Sequence, residues 1–201
     1  MGEIILASGS PRRKQIMELA GINCEVIVSN ADETVMGEPA EQVRELALRK
    51  ATAVYESLPN AHLETAIGTT LPIIIAADTL VFIDNRALGK PATAAEAFEM
   101  LSTLQARAHT VYTGVAIVKG CYRHVFADAA QVHFRALTPR EIHAYIATGE
   151  PFDKAGGYGI QERGSVLVDR IEGDFYTVMG LPISKVCRAL AAMGYDIWGQ
   201  E

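Results

Sequence analysis

The 201-residue sequence predicts an α/β fold with a mixed central sheet, and three patterns support this prediction. The chain opens as a short apolar strand, Ile4 to Ala7, followed by a tight loop and a helix. Two long strand-like segments, 110–119 and 122–134, flank a turn at Gly120, as in a hairpin. Helical segments separate the early strands but not these two. A mixed sheet therefore fits better than a strictly doubly wound parallel sheet.

Five segments carry helix signals: about 11–20, 39–55, 93–104, 138–148 and one that begins at Pro182. Ser10 suits the N-cap position, Pro11 suits the first turn, and Gly21 suits the C-terminal stop of the first helix. The pairs Thr93–Glu96 and Thr138–Glu141 match the capping-box pattern. The second helix is predicted instead from an apolar stripe that recurs with helical spacing.

Two more strands are predicted from apolar, β-branched runs: 73–83 and 165–171. Asp78 and Thr79 interrupt the first run, and Asp84–Asn85 is a turn signal at its end. Residues 56–70 have a loop pattern. The β-rich middle of the chain could form a lobe of its own, although no linker-like segment marks a boundary.

Composition limits the classes of function. The length suits one domain, 1–201, and hydrophobic residues make up 49% of the chain, enough for a sizeable core. The formal net charge of −6 argues against broad nucleic-acid binding, but a local cation cluster can still bind a small anion. The three cysteines form no CxxC pair, so we expect reduced thiols in a cytoplasmic protein. We expect no signal peptide and no membrane span, because the longest apolar run, 71–77, is short.

The segment SGSPRR, from Ser8 to Arg13, is the first candidate site. Small residues between a strand and a helix let backbone N–H groups approach an anion, and the helix N-terminus adds partial positive charge. Arg12 and Arg13 oppose that partial charge, which suggests a compensating anion. A solvated arginine pair on an exposed turn explains the pattern equally well, and no Walker A sequence is present.

An acid and a lysine interrupt apolar patterns elsewhere. Asp78 lies inside an apolar strand-forming run, where a carboxylate must be paired, bound to metal or directed into a cleft. It could bind Mg2+ or accept a proton from water. Lys50 falls on the apolar face of the second helix, so its ammonium either reaches water or meets phosphate in a cleft.

The segment Gly149 to Gln161 contains three glycines within Gly156–Gly159, which favours close backbone approach or unusual dihedral angles. Lys154 and Gln161 flank this turn, where a lysine can meet phosphate and an amide can contact a base edge. An ordinary connecting loop is the alternative. Lys90 in Gly89–Lys90–Pro91 is a weaker case of the same kind, and Glu33 alone is more typical of a solvated surface acid.

Taken together, these segments resemble the Maf (septum formation inhibitor-like) nucleotide pyrophosphatases. The resemblance is carried, in the family's order, by LASGSPRRKQIMELAG, AADTLVFIDNRALGKP, HTVYTGVAI and YIATGEPFDKAGGYGIQERGSVLVDRIEGDFYTVMGLPISKV. It implies an elongated two-lobed fold with a cleft, related to inosine-triphosphate pyrophosphatases. It also implies hydrolysis of a nucleoside triphosphate to monophosphate and pyrophosphate, with Mg2+ or Mn2+, by a homodimer.

The resemblance also implies residue roles. The matching substrate contacts are Ser8, Arg12, Arg13, Lys50, Thr79, Lys90, Lys154 and Gln161. Glu33 and Asp78 match metal-holding acids, and Asp78 also matches the proton acceptor. Arg12, Thr79 and Gln161 match the branch that resembles dTTP/UTP pyrophosphatases. The branch that prefers 7-methyl-GTP typically has Trp after the Ser-Pro pair, and Arg12 stands there in this chain.

Two other functions stay open at this level. A nucleotide-binding regulator of cell division would bind dTTP or UTP without releasing pyrophosphate. A phosphatase that removes only the γ-phosphate would release orthophosphate instead. The sequence also leaves open whether the cellular substrate is a canonical or a modified pyrimidine nucleotide.

Overall fold

A computed structural model describes residues 3–59, 71–195 and 197–198 and has an α/β fold with a mixed sheet. In these residues the strands are β1 Ile4–Leu6, β2 Glu25–Val26, β3 Ile73–Ile83, β4 Arg86–Leu88, β5 Ala108–Lys119, β6 Tyr122–Phe134 and β7 Val168–Glu172. Their order is β2-β1-β3-β5-β6-β7, and β4 pairs with β3. β1 runs parallel to β2 and β3, whereas β3–β4 and β6–β7 are antiparallel. The predicted mixed sheet is therefore confirmed.

The helices of the described residues are α1 Pro11–Leu19, α2 Pro39–Ser57, α3 Ala94–Leu104, α4 Pro139–Ile146, α5 Phe175–Met179 and α6 Ile183–Ala192. Short 3-10 turns cover Glu150–Asp153, Ala155–Gly157 and Arg163–Leu167. At α4 the full capping box forms, since Thr138 and Glu141 each accept from the other's backbone N–H. At α3 only half of it forms, because the Glu96 carboxylate accepts from Ala92 N and not from Thr93 N.

The chain divides into two compact units. Unit 1 comprises the described parts of Met1–Asp78, Thr113–Ala127 and Gly180–Glu201, and unit 2 comprises Thr79–Tyr112 and Asp128–Met179. β3, β5 and β6 contribute residues to both units. Each unit has its own cluster of buried apolar side chains, so burial of nonpolar surface stabilises each of them.

The core of unit 1 fixes α2 against the sheet. Ala47, Ala51 and Val54 of α2 pack with Ile74 and Ala76 of β3 in one buried cluster. The approach is close at a neighbouring strand, where a Cβ added to Gly114 would lie 2.1 Å from the Val43 carbonyl oxygen. Glycine is therefore required in β5, and this packing determines where α2 presents its polar side chains.

The predicted strand 73–83 is confirmed: β3 is continuous from Ile73 to Ile83, and Asp78 and Thr79 lie within it. Two other expectations about local structure are wrong. Residues 165–167 belong to a 3-10 turn, so β7 begins at Val168. Residues 56–57 end α2 rather than forming a loop, and residues 58–59 follow the helix. Residues 60–70 of that predicted loop lie outside the described residues.

The patterns also missed three short elements, β2, β4 and α5. β2 has two residues and β4 has three, too few for either to show a periodic signal. Ser10 occupies the predicted N-cap position of α1 but makes no side-chain cap hydrogen bond.

Candidate functional site

The loop between β1 and α1 is organised around the Ser8 hydroxyl. Ser8 is buried at 7% exposure, and its Oγ accepts hydrogen bonds from Ser10 N at 3.3 Å and from Arg13 Nη1 at 3.0 Å. The Nε of Arg13 donates to the Gly180 carbonyl at 2.8 Å. Arg13 is therefore held by two fixed acceptors, and the interpretation of this arginine as a solvated surface residue is wrong.

Lys50 joins the two acids that were singled out. Its Nζ lies 2.6 Å from Asp78 Oδ1 and 2.7 Å from Glu33 Oε1. The Lys50 and Asp78 side chains are each 13% exposed, whereas that of Glu33 is 69% exposed. Lys50 extends from α2 and Asp78 from β3, so the packing of α2 on the sheet sets their contact. The lysine is thus paired with carboxylates and is not a stem with its ammonium in water.

Electrostatics tie this pair to the arginine loop. Burial lowers the pKa of the Arg13 guanidinium, and the nearby Arg12 charge lowers it too, while Asp78 and Glu33 oppose both effects. An arginine stays charged in proteins in spite of such a shift. Ser8, Arg13, Lys50, Asp78 and Glu33 therefore form one connected group in unit 1, which we call the Lys50 cluster, and Arg12 adjoins it.

The other predicted site residues lie in unit 2. Lys154 is buried at 6% exposure, and its Nζ contacts Glu150 O at 3.0 Å, Asp153 Oδ1 at 2.7 Å and Glu162 Oε2 at 3.5 Å. Both carboxylates are well exposed, at 60% and 59% of their side-chain surface. The ammonium thus has one backbone acceptor and two carboxylate acceptors on exposed side chains.

Three further predicted residues of unit 2 differ in setting. Thr79 follows Asp78 directly in β3 and is half-buried, Gln161 is half-buried after the glycine-rich turn, and Lys90 is exposed.

In the glycine-rich turn before Gln161, both the available space and the backbone angle require glycine. Gly156 has a φ of +70°, and its Cβ would lie 2.9 Å from Val81 Cγ1.

Sequence reasoning did not anticipate the residues that hold these side chains. The Gly180 carbonyl meets Arg13 across 167 residues of sequence, and no local pattern signals such a contact. Glu150 and Tyr145 hold the backbone around Lys154 and Gln161. The only signal for Tyr145 is an apolar face in α4, which predicts a core residue and says nothing of its hydroxyl.

The described residues contain no group of three or more His, Cys, Asp or Glu side chains that could hold a metal ion. Glu33 and Asp78 are two carboxylates that meet at one ammonium. Among the same residues, none of the helices combines the length and apolar character that crossing a bilayer requires.

Comparison with known proteins identifies the family. A family model described as Maf-like protein matches residues 3–193. The chain belongs to this family. A Bacillus cereus (strain ZK / E33L) protein named dTTP/UTP pyrophosphatase is 48% identical over 199 residues, which cover 98% of each chain. A Bacillus anthracis protein of the same name is 47% identical with the same coverage.

The structure of the Staphylococcus aureus Ham1 protein also matches part of this chain. It matches 66% of this chain and 71% of its own with a TM-score of 0.42 and 17% sequence identity. The predicted family is confirmed by the family model and by the full-length relatives.

Proposed function

We propose that this chain is an enzyme that hydrolyses dTTP and UTP, or closely related modified pyrimidine nucleotides, to the monophosphate and pyrophosphate. The proposal is supported by full-length relatives named for that activity. On the side of geometry, one observation carries it: a buried carboxylate, Asp78, held by Lys50 within a group that also contains Arg13 and a second acid.

Asp78 is the proposed general base. Lys50 holds one oxygen of its carboxylate at 2.6 Å, which orients the group and leaves the other oxygen to accept a proton from water. That water attacks the α-phosphorus, the bond from the α-phosphorus to its bridging oxygen breaks, and pyrophosphate leaves with the bonding electrons. Positioning and charge stabilisation supply most of the rate enhancement in such a reaction.

Glu33 and Asp78 are the proposed metal ligands. Mg2+ is commonly held by one or two carboxylates together with substrate phosphates, and two carboxylates that approach the same Lys50 nitrogen fit that donor set. When bound, Mg2+ or Mn2+ would neutralise part of the triphosphate charge. The same approach of both acids to Lys50 means that the lysine must share them with the metal or turn to phosphate.

The proposed phosphate contacts in unit 1 are Ser8, Arg12, Arg13 and Lys50. Arg13 is already oriented by Ser8 and Gly180, so little conformational entropy is lost when its guanidinium meets an anion. Thr79, Lys90, Lys154 and Gln161 are further proposed substrate contacts, which rest on the family resemblance. The homodimer, the cytoplasmic location and the choice of metal also stay predictions.

Pyrophosphate release from a panel of canonical and modified triphosphates, with Mg2+ or Mn2+, tests the proposal. Wild type should release pyrophosphate from dTTP and UTP. Asp78→Asn should lose at least about a hundredfold in kcat, the usual scale of a general base, while it retains nucleotide binding. Wild-type activity in that variant would show that the base is wrongly assigned. Tight binding without release by wild type would favour a regulator, and orthophosphate release would favour a γ-phosphatase.

A further inference from the structure

The segment from Lys154 to Gly164 in unit 2 is fastened by one carboxylate. Glu150 Oε1 accepts a hydrogen bond from Arg163 N at 3.1 Å, and Glu150 Oε2 accepts one from Gly164 N at 3.2 Å. The backbone carbonyl of the same residue accepts from Lys154 Nζ at 3.0 Å. Glu150 thus contacts both ends of a segment in which Lys154 and Gln161 are the proposed substrate contacts.

Tyr145 extends the same network from α4. It is buried at 5% exposure, and its hydroxyl accepts from Gly159 N at 3.1 Å and donates to the Glu150 carboxylate. Burial raises the pKa of the Tyr145 phenol, so it keeps the proton that it donates. The middle of the segment is therefore tied to the same carboxylate as its end.

The glycines of the segment leave no space for looser packing. A Cβ on Gly164 would lie 2.3 Å from the Gly159 carbonyl oxygen and 2.7 Å from Tyr145 Oη. A Cβ on Gly159 would lie 2.4 Å from Lys154 Cε. The backbone folds tightly on itself and on the lysine stem, so the direction of the neighbouring side chains depends on the hydrogen bonds that fix it.

We infer that Glu150, with Tyr145, is a positioning residue for nucleotide recognition: it fixes the backbone that presents Lys154 and Gln161 and does not itself contact substrate. This inference rests on the proposed function. A carboxylate suits the task because it accepts two backbone N–H groups at once, and charge-assisted hydrogen bonds of this kind are the stronger ones. Glutamine in its place would keep one acceptor and turn an N–H donor towards a second N–H donor.

Amide hydrogen exchange, measured without nucleotide, tests whether the two hydrogen bonds to the Glu150 carboxylate hold the segment. In Glu150→Gln, peptides that contain Arg163 and Gly164 should exchange about tenfold faster or more, as expected for loss of a charge-assisted hydrogen bond, while β3 peptides stay unchanged. Glu162→Gln is the matched control, because it removes an equal charge from a second carboxylate near Lys154, which lies 3.5 Å from the lysine nitrogen. Unchanged exchange in Glu150→Gln would overturn the inference.

Nucleotide discrimination separates positioning from a merely structural role. In an Asp78→Asn background, where we expect turnover at least about a hundredfold slower, the ratio of UTP to CTP affinities is measured by calorimetry with and without Glu150→Gln. The ratio should fall severalfold, because the Gln161 side chain is no longer held in one orientation. A smaller folded fraction would instead lower the apparent affinities for UTP and CTP equally and leave their ratio unchanged. Tyr145→Phe should also lower the ratio of UTP to CTP affinities, whereas Glu162→Gln should leave it unchanged.

The outcomes separate this inference from the proposed function. An unchanged ratio in Glu150→Gln overturns the inference and leaves the proposed function standing. Wild type that neither binds nor hydrolyses UTP overturns both the inference and the proposed function. Faster exchange together with a lower ratio supports the inference, whatever the rate of pyrophosphate release by wild type.

Discussion

The two contacts of Lys50 are almost equal in length, and we predict that they differ severalfold in energy. Nζ lies 2.6 Å from Asp78 and 2.7 Å from Glu33. The Asp78 side chain is 13% exposed and the Glu33 side chain is 69% exposed. Water screens the second pair and hardly reaches the first, so exposure and not distance should decide the free energy of each interaction.

The magnitude follows from this difference. Unit charges 2.6 Å apart attract by about 6 kcal/mol at an effective dielectric constant near 20, and desolvation offsets much of it. Breaking a buried pair costs about 3–5 kcal/mol. Because Arg13 still faces Asp78, we expect a coupling free energy of about 2–3 kcal/mol for Lys50 and Asp78. For Lys50 and Glu33 we expect less than about 1 kcal/mol, as for exposed pairs.

Two double-mutant cycles measure these values by urea unfolding in the presence of a chelator, so that no divalent cation contributes. One cycle combines Lys50→Met with Asp78→Asn, and the other combines Lys50→Met with Glu33→Gln. Higher salt should reduce the Glu33 coupling and leave the Asp78 coupling nearly unchanged. Coupling free energies that agree within about 0.5 kcal/mol, the usual error of such cycles, would refute the argument from exposure.

Two further predictions concern buried positions away from this pair. Burial of His109, with a smaller effect of the His133 charge, lowers the pKa of His109 from 6.5 to about 4, so the unfolded chain binds its proton first. Stability should fall by about 1.4 kcal/mol per pH unit below pH 6.5, about 3 kcal/mol by pH 4. Urea unfolding of His109→Gln should lose that slope and the exposed control His143→Gln should keep it; equal slopes in wild type and His109→Gln would contradict the assignment. Gly114→Ala should force α2 away from β5, because the new Cβ would lie 2.1 Å from the Val43 carbonyl. It should lower stability by about 1–3 kcal/mol and kcat with it. Gly21→Ala, where the Cβ meets open space and only the φ of +70° adds strain, should leave kcat unchanged.

The sequence predicted the fold where signals are local and repeated. The boundaries of α1 and α4 follow from Pro11 and from the Thr138–Glu141 box, whose chemistry acts within one helical turn. It predicted the bounds of β3 correctly but not the partner of Asp78, the charge inside that apolar run. A strand tolerates that charge because its partner comes from another element, and Lys50 lies 28 residues away along the chain.

The candidate site shows the same limit. The residues of the Lys50 cluster were each singled out by a local anomaly or by resemblance, but no pattern gave their pairing. Lys50 was expected either in water or on phosphate, whereas it binds two acids. Lys154 was expected to meet phosphate, and its contacts with Glu150, Asp153 and Glu162 were not predicted. Partners at long sequence separation are fixed by packing, which periodicity does not encode.

Lys50 and Lys154 are each close to two carboxylates, and this arrangement suits lysines that we propose to bind a triphosphate. A lysine with no acceptor would be costly to bury, since a desolvated charge must be paired or neutralised. Glu33 and Asp153 supply acceptors on exposed side chains, at 69% and 60%, where an ion pair contributes little free energy. Asp78 and the Glu150 backbone carbonyl are the other acceptors of Lys50 and Lys154. We expect an incoming phosphate to replace an exposed carboxylate at each lysine, so that the ammonium exchanges one anion for another and keeps a partner.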